Sequence, residues 1–434
     1  MPQGKKRKLE TATPGPVAKL NTTPIPKLFS YESLKTVLEH LEANKRLDLA
    51  RRCDSIQTAD KAAPLKIENL KFGSMMTIIN NRTYQLGVYR KFHQMGDDRF
   101  YSLVRDNSGG TPYDLDRFGF REISEEIMTT PGDVKLFFKQ LPGKPTLEES
   151  RRRIEYCRGR LFYLRRCSIR DKSTIKEMRN EILSSSCYVD GRTPPYNNYI
   201  LFTMRTKESQ HSESKKEYME YNKSLQEASK HLNTQMFGGR CSIQVKKMKL
   251  WSGETTIRLP PDVKIHVQII DIDSYLSRTI ENLVQILTNS SFPLKTIETT
   301  CTNNTEDLTH QHILEAKKFV VLEEVSSSYL RNVTNWSLFP SRTHFVDCPD
   351  YLSIIKRWQA NEPAVGTSFS VSFSTWGKTR QGISDLVGGV IRKGIIVVAL
   401  GETRNIEVTY GKVDKKKYDS YGATHFLYMK VVDK

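Results

Sequence analysis

From Ser30 the apolar positions Leu34, Val37, Leu38 and Leu41 fall at i, i+3, i+4 and i+7, one stripe of an amphipathic helix. Ser30 stands where an N-cap accepts from first-turn amides, with Ser33 in that turn. A second short helix carries Leu47, Leu49 and Cys53, and Pro64 closes this head. The period then changes from helical to alternating: Leu65, Ile67 and later Tyr84, Leu86 and Val88 predict a strand meander to Phe92, turning at Asn80-Asn81. The stretches Ile67–Phe72 and Val245–Leu250 place apolar residues identically and are followed by Ser74 and Ser252, Thr77 and Thr255, Ile79 and Ile257. That likeness predicts two related α/β halves.

Two helices are expected between those stretches. One opens on the capping-box pair Thr146 and Glu149 and runs into an arginine-rich segment. The other, over 214–236, carries Tyr218, Tyr221, Leu225, Ala228 and Leu232 at spacings of three and four and stops at Gly238-Gly239; it reads as a helix packed on its own domain. In the last third, strand-like clusters centre near Leu294, Val320, Phe345 and Val371, roughly 25 residues apart, with a helix at Tyr351–Trp358 between them. That period fits a leucine-rich-repeat-like stack and equally a mixed α/β layer ending in strands at Ile406–Tyr410 and Phe426–Lys430. The expected fold class is therefore α/β (α+β). A disordered basic tail over 1–27 precedes a helical head over 28–63, an α/β half with arginine-rich helices over 64–240 and a repeat-like α/β half over 241–434.

With 434 residues, 38% of them hydrophobic, the chain can bury sizeable cores. The N-terminus has no apolar segment of signal-peptide type and no run of about 18 apolar residues occurs, so a nuclear or cytoplasmic protein without membrane spans is expected. Seven scattered cysteines with no Cys-X-X-Cys pair read as reduced thiols and exclude common zinc-finger spacings. The formal charge of +18 raises the question of an acidic partner. Residues 1–27 hold five prolines and the run Lys5-Lys6-Arg7-Lys8, which fits a nuclear-import signal or a solvated charge cluster.

Chemistry-bearing patterns are sparse. Asp114, Asp116, Gly119 and Glu125 take positions 1, 3, 6 and 12 of a calcium loop, but Phe118 at position 5, Arg121 at position 8 and the preceding Gly109-Gly110-Thr111-Pro112 argue for a loop ordered by Asp–Arg contacts. His310-Gln311-His312 has no further ligands spaced around it and reads as a solvated helix start. Phosphate-cradling, nucleophile-elbow and zinc-protease signatures are absent, so binding, not catalysis, is expected, with neither metal nor cofactor. Arg151, Arg152, Arg153, Arg158, Arg160, Arg165, Arg166 and Arg170 crowd into twenty residues among Tyr156, Phe162 and Tyr163. This is either the wet face of a helix or a nucleic-acid surface combining phosphate contact with base stacking.

The head resembles an F-box. Phe29, Glu32, Leu34, Val37, Leu38, Leu41, Glu42, Leu47, Leu49 and Cys53 stand in the matching register, while Ser30, Arg52 and Ile56 replace the pattern's proline, valine and tryptophan. The resemblance implies that Leu34, Val37, Leu38, Leu41 and Leu47 anchor the adaptor subunit of an SCF-type ubiquitin ligase; the alternative is a helical pair capping the following sheet with the same leucines as core. The chain is also similar to a family of uncharacterised proteins expanded in nematodes, through Tyr31–Lys35, Asn44-Lys45-Arg46, Pro64–Ile67, Pro112–Arg117, Phe237–Arg240 and Tyr351–Trp358. That resemblance implies no known activity, but its last segment is similar to substrate-side domains that accompany F-boxes. The expected function is a protein-binding module, with nucleic-acid binding and a purely structural role as alternatives.

Overall fold

The structure is a computed structural model that describes residues 30–93, 109–123, 128–136, 143–166, 172–207, 212–251, 256–273, 275–300, 310–322, 336–338, 349–373, 390–392, 395–412 and 425–434. Ser30 caps as its position predicts: its Oγ accepts the Ser33 amide at 3.1 Å and opens α1 (Tyr31–His40). Glu42 caps α2 (Ala43–Arg52) by accepting from the Asn44 and Lys45 amides at 2.8 and 3.2 Å. A third helix, α3 (Asp54–Ala62), completes the head. The meander follows as β1 (Leu65–Gly73), β2 (Met76–Ile79) and β3 (Arg82–Phe92). Its turn uses Asn80 at φ 54°, a left-handed conformation asparagine tolerates, and the Asn80 Oδ1 accepts the Glu68 and Asn69 amides at 3.1 Å each.

After β4 (Val134–Lys135), the capping box closes as expected: the Glu149 amide donates to Thr146 Oγ1 at 3.2 Å and the Thr146 amide to Glu149 Oε2 at 2.7 Å. It starts α4 (Leu147–Arg166), which packs along α5 (Lys172–Val189). Strands β5 (Tyr196–Lys207) and β6 (Ser212–Glu220) come next. Here the expected helix over 214–236 is corrected. Its first part is β6, paired with β5 throughout, and α6 (Leu225–Phe237) begins only where Ser224 and Glu227 form a reciprocal capping box. Tyr218 and Tyr221 satisfy helical spacing but lie upstream of that cap.

The remaining elements are β7 (Ile243–Leu250), β8 (Thr256–Ile257), β9 (Ile265–Ile272), α7 (Leu276–Val284), a 3₁₀ turn (Asn289–Ser291), β10 (Thr296–Thr299), α8 (Gln311–Leu314), β11 (Phe319–Val321), β12 (Trp336–Leu338), α9 (Pro349–Asn361), β13 (Ser368–Phe373), β14 (Val390–Arg392), β15 (Ile395–Leu400), β16 (Arg404–Lys412) and β17 (His425–Asp433). Phe345, expected to centre a strand, lies outside the described residues.

Among the described residues one sheet of 15 strands runs β14-β15-β16-β17-β13-β12-β11-β10-β9-β7-β1-β2-β3-β5-β6, and β4 pairs separately with β8. Its middle, β1 through β7 and β9 to β13, is parallel and stacked in chain order, as a repeat array stacks; both ends are antiparallel. Each of the two architectures that the 25-residue period allowed thus describes part of the sheet.

The two look-alike stretches are direct neighbours. Ile67 pairs with Val245, Leu70 with Met248 and Phe72 with Leu250, so the sheet continues across residues 240–241. The same offset places Ile265, Val267, Ile270 and Ile272 on β9 as a third rung. All of these side chains are buried, and the row Leu70, Met248, Ile270, Ile297 and Phe319 crosses five strands without a polar residue. Full burial contributes about 1.5–3 kcal/mol per such side chain, which is what holds short strands such as β10 and β11 in the stack. Leu225 and Phe237 of α6, Leu276, Ile280 and Leu283 of α7, Ile313 of α8, and Ile354, Ile355 and Trp358 of α9 join this core. No helix among the described residues is long and apolar enough to cross a membrane.

The head is fixed to the body through a buried ionic cluster. Arg46 Nε meets Asp60 Oδ1 at 2.8 Å, Arg240 Nη2 meets Asp60 Oδ2 at 2.7 Å, and all three side chains are about 1% exposed. Arg46 also donates to the carbonyls of Asp60, Ala63 and Pro64 at 2.8, 3.0 and 2.6 Å, satisfying the end of α3, whose last carbonyls have no partner within the helix. Burial lowers the pKa of Arg240, and Arg46 adds to that against the opposing pull of Asp60.

Candidate binding surface

Strands β1, β7 and β9 bury one side-chain row in the core and turn the alternate residues outward. Lys66 and Glu68 of β1, Gln244 and Lys246 of β7 and Gln268 of β9 are exposed. Lys246 Nζ meets Glu68 Oε2 at 2.8 Å with both side chains about two-thirds in solvent. Further along, the register aligns Lys71, Lys249, Asp271 and Glu298 across four strands. Lys247 bridges Asp271 at 3.0 Å and Glu298 at 2.5 Å; Lys249 bridges Asp271 at 3.3 Å and Asp273 at 3.2 Å.

Partial burial alone would pull both lysines down, but Glu298 and Asp271 hold Lys247, and Asp271 and Asp273 hold Lys249, above the ordinary lysine value. An amine kept charged in this way is the reverse of what nucleophilic or imine chemistry needs. The row instead offers alternating donors and acceptors on a rigid backbone. It is invisible to motif reading because its members come from β1, β7, β9 and β10, which the sequence keeps far apart.

The five residues proposed as adaptor anchors are separated by the fold. Leu38 is 1% exposed, packed on Ala59 and Ala63 with Leu34, Leu41 and Ile56 around it, and Leu47 sits in the main core. Leu34 and Leu41 are half-buried, and Val37 alone of the five is open, at 44%. The expectation that Leu38 and Leu47 face outward is corrected: α3, missed because Ile56 and Ala59 make a weak stripe, folds back and covers the leucine row. Lys5, Lys6, Arg7 and Lys8 lie outside the described residues.

The arginine-rich segment is α4. Ser150, Ile154, Cys157, Leu161 and Leu164 form its one buried stripe, facing α5, and Arg151, Arg152, Arg153, Arg158, Arg160 and Arg166 are exposed. Arg152 pairs with Glu148 and Arg153 with Glu181 of α5; the side chain of Arg165 and all of Arg170 lie outside the described residues. Cys157 donates to Glu181 Oε2 at 3.4 Å, and burial first, then that carboxylate, push its thiol up to about 11.

The carboxylates of the calcium-like loop accept hydrogen bonds from neighbouring protein groups. Asp114 Oδ1 accepts from the Leu225 amide at 2.8 Å and the Tyr221 hydroxyl at 2.5 Å, tying the loop to the start of α6, and Asp116 Oδ1 accepts the Phe118 and Phe120 amides at 2.9 Å. Glu125 lies outside the described residues. His310 flanks α8 as a helix start, but the expected solvated position is corrected, since its side chain is only 15% exposed and His312 stacks on Phe292 at 4.2 Å. No cluster of metal-ligating side chains occurs among the described residues.

A groove of about 420 Å³ lies where the head meets the sheet, floored by Leu86, Phe202, Met219 and Leu232 and walled by α2 and α6. Its rim carries Asp48, Asp54 and Glu217 against Arg51, Lys61 and Lys223, so it has no net sign.

Neither curated proteins nor solved structures yield a match to the chain. Residues 224–375, from the Ser224 cap of α6 to just past the end of β13, match a family described as a domain of unknown function (DUF3557); the match covers the parallel strands β7 and β9–β13 but not β1.

Proposed function

We propose that the chain is a protein-binding module whose contact surface is the outward face of β1, β7 and β9, and that it acts by recognition and not by catalysis. The observation that carries this reading is the exposure of that face. Parallel strands ordinarily have both faces covered, whereas stacked repeat arrays leave one face open and use it for partners. Here the open face holds Lys66, Glu68, Gln244, Lys246 and Gln268 in solvent. Mixed signs in one rigid row suit a folded partner with a mixed-charge surface, since such complementarity sets register and excludes wrong partners.

In the finer form of this reading the partner is the target of a ubiquitin ligase and the F-box-like head meets the ligase adaptor. Contact would then fall on Val37 and the outer side of α1, because Leu38 and Leu47 pack inward.

The test is cross-linking of the intact chain to its co-purified partner, followed by the double variant Lys66→Glu and Lys246→Glu. Both side chains are exposed, so the fold is expected to hold while the partner is lost and cross-links to β1 and β7 disappear. Retention of the partner by the double variant, or its loss only on Val37→Asp, would overturn the assignment to this face.

A further inference from the structure

We infer that the α4–α5 hairpin is a binding surface for single-stranded nucleic acid, a function separate from the face proposed for protein recognition. The wet side of an ordinary amphipathic helix is charged and free of large rings. The wet side of α4 is not: Tyr156 is 57%, Phe162 68% and Tyr163 51% exposed. Three large aromatic side chains outside the buried stripe of one helix call for a partner.

Helical spacing sorts the exposed residues onto two flanks. Arg153, Tyr156, Arg160 and Tyr163, at intervals of three, four and three, run down one flank; Arg151, Arg158, Phe162 and Arg166, at seven, four and four, run down the other. On the first flank the Arg153 guanidinium lies 5.2 Å from the Tyr156 ring centroid and that of Arg160 5.3 Å from Tyr163, so each arginine plane is already held against a ring. Among the described residues no carboxylate pairs with Arg151, Arg158, Arg160 or Arg166, and their charge is available to a ligand.

The chemistry that matches alternating guanidinium and aromatic groups is a phosphate chain with unstacked bases: arginine takes the phosphates and the rings take the bases. A duplex hides its base faces and would use only the charges. An anionic bilayer asks for a continuous apolar face, and here the apolar stripe of α4 is already buried against α5, with arginines set between the exposed rings. The length of α4, about 30 Å for its 20 residues, gives room for several nucleotides.

The experiment is fluorescence anisotropy of the full chain with a labelled 20-nucleotide oligo(dT), the matching duplex and vesicles containing anionic lipid as competitors. Oligo(dT) is expected to bind in preference to both, with log Kd changing by about 3 per tenfold change in salt if four arginines meet phosphates at about 0.7 each. Phe162→Ala and Tyr163→Ala should each weaken binding at least about fivefold, and Arg158→Gln should lower the salt slope by about 0.7, all with unchanged melting temperature. Absence of binding at about 50 mM salt, equal affinity for the duplex with no effect of the ring variants, or displacement by vesicles but not by unlabelled oligo(dT) would each overturn the inference.

Discussion

Replacing Asp60 by asparagine isolates what ties the head to the body. In the wild-type chain its carboxylate lies between two guanidinium groups, Arg46 at 2.8 Å and Arg240 at 2.7 Å, with all three side chains about 1% exposed. Asp60→Asn keeps the shape but leaves two buried positive charges facing each other with no counter-charge. Removing one partner of a buried ionic group costs about 3–5 kcal/mol, because the stranded charge has lost its solvation. The loss is local first: Arg46 belongs to α2, Asp60 to α3 and Arg240 follows α6, so the head is what the cluster holds down. Hydrogen exchange of the amides over 31–62 is the assay, and protection there is expected to fall by about 10² to 10⁴ while β7 and β9 keep theirs. Adding Arg46→Met to Asp60→Asn should recover part of the loss, since it removes one stranded charge and supplies an apolar side chain of similar reach. Protection over 31–62 within threefold of wild type in Asp60→Asn, or a double variant worse than the sum of its parts, would refute the reasoning.

Leu38→Ala should cost about 2–5 kcal/mol by opening a cavity among Ala59, Ala63 and Ile56, whereas Val37→Asp should change the urea midpoint little; equal effects would contradict the packing of α1 on α3. Burial alone would raise Asp133, but hydrogen bonds from Thr130, then Arg258 and Lys230, hold it below the usual carboxylate range. A folded value below the unfolded one stabilises the protein above the unfolded carboxylate pKa of about 3.9, and that contribution fades as pH falls through the folded value. The urea midpoint should therefore drop below about pH 4, and Asp133→Asn should flatten the drop while lowering the plateau at neutral pH. Iodoacetamide at pH 8 with peptide mapping should label the exposed Cys241 promptly and spare Cys157, whose thiol is buried and pushed up to about 11, until the chain is unfolded. Gly87→Ala should disrupt packing on β3, because a Cβ there would stand 2.2 Å from the Gly109 carbonyl oxygen; thermal stability equal to wild type would contradict that approach.

Local signals carried the elements whose causes are local. Ser30, the Thr146 and Glu149 pair and the Asn80-Asn81 turn act on amides within a few residues of themselves, so each was readable from the chain and recurs in the structure. The apolar spacing of Ile67–Phe72 and Val245–Leu250 was also legible, because a side chain that must reach a core leaves a period behind. What that spacing meant was not: only pairing across 178 positions makes the two stretches neighbours in one sheet, with β9 as an unnoticed third copy. The expected helix over 214–236 failed because intervals of three and four also arise by chance in a strand, and the partner β5 that decides the matter is set by long-range hydrogen bonds.

Chain-local chemistry likewise determined which residues of α4 are charged or aromatic, and that Arg151, Arg152, Arg153, Arg158, Arg160 and Arg166 are exposed follows from one buried stripe. Which leucines of the head are free was decided by tertiary structure alone. A stripe states that a helix buries one face, but whether α3 or another protein covers it depends on where the chain turns at Cys53 and on the ionic cluster that draws Arg240 against Asp60 from 180 residues away. The charged row of Lys247, Lys249, Asp271 and Glu298 belongs to the same class, since strand register brings together what sequence keeps apart.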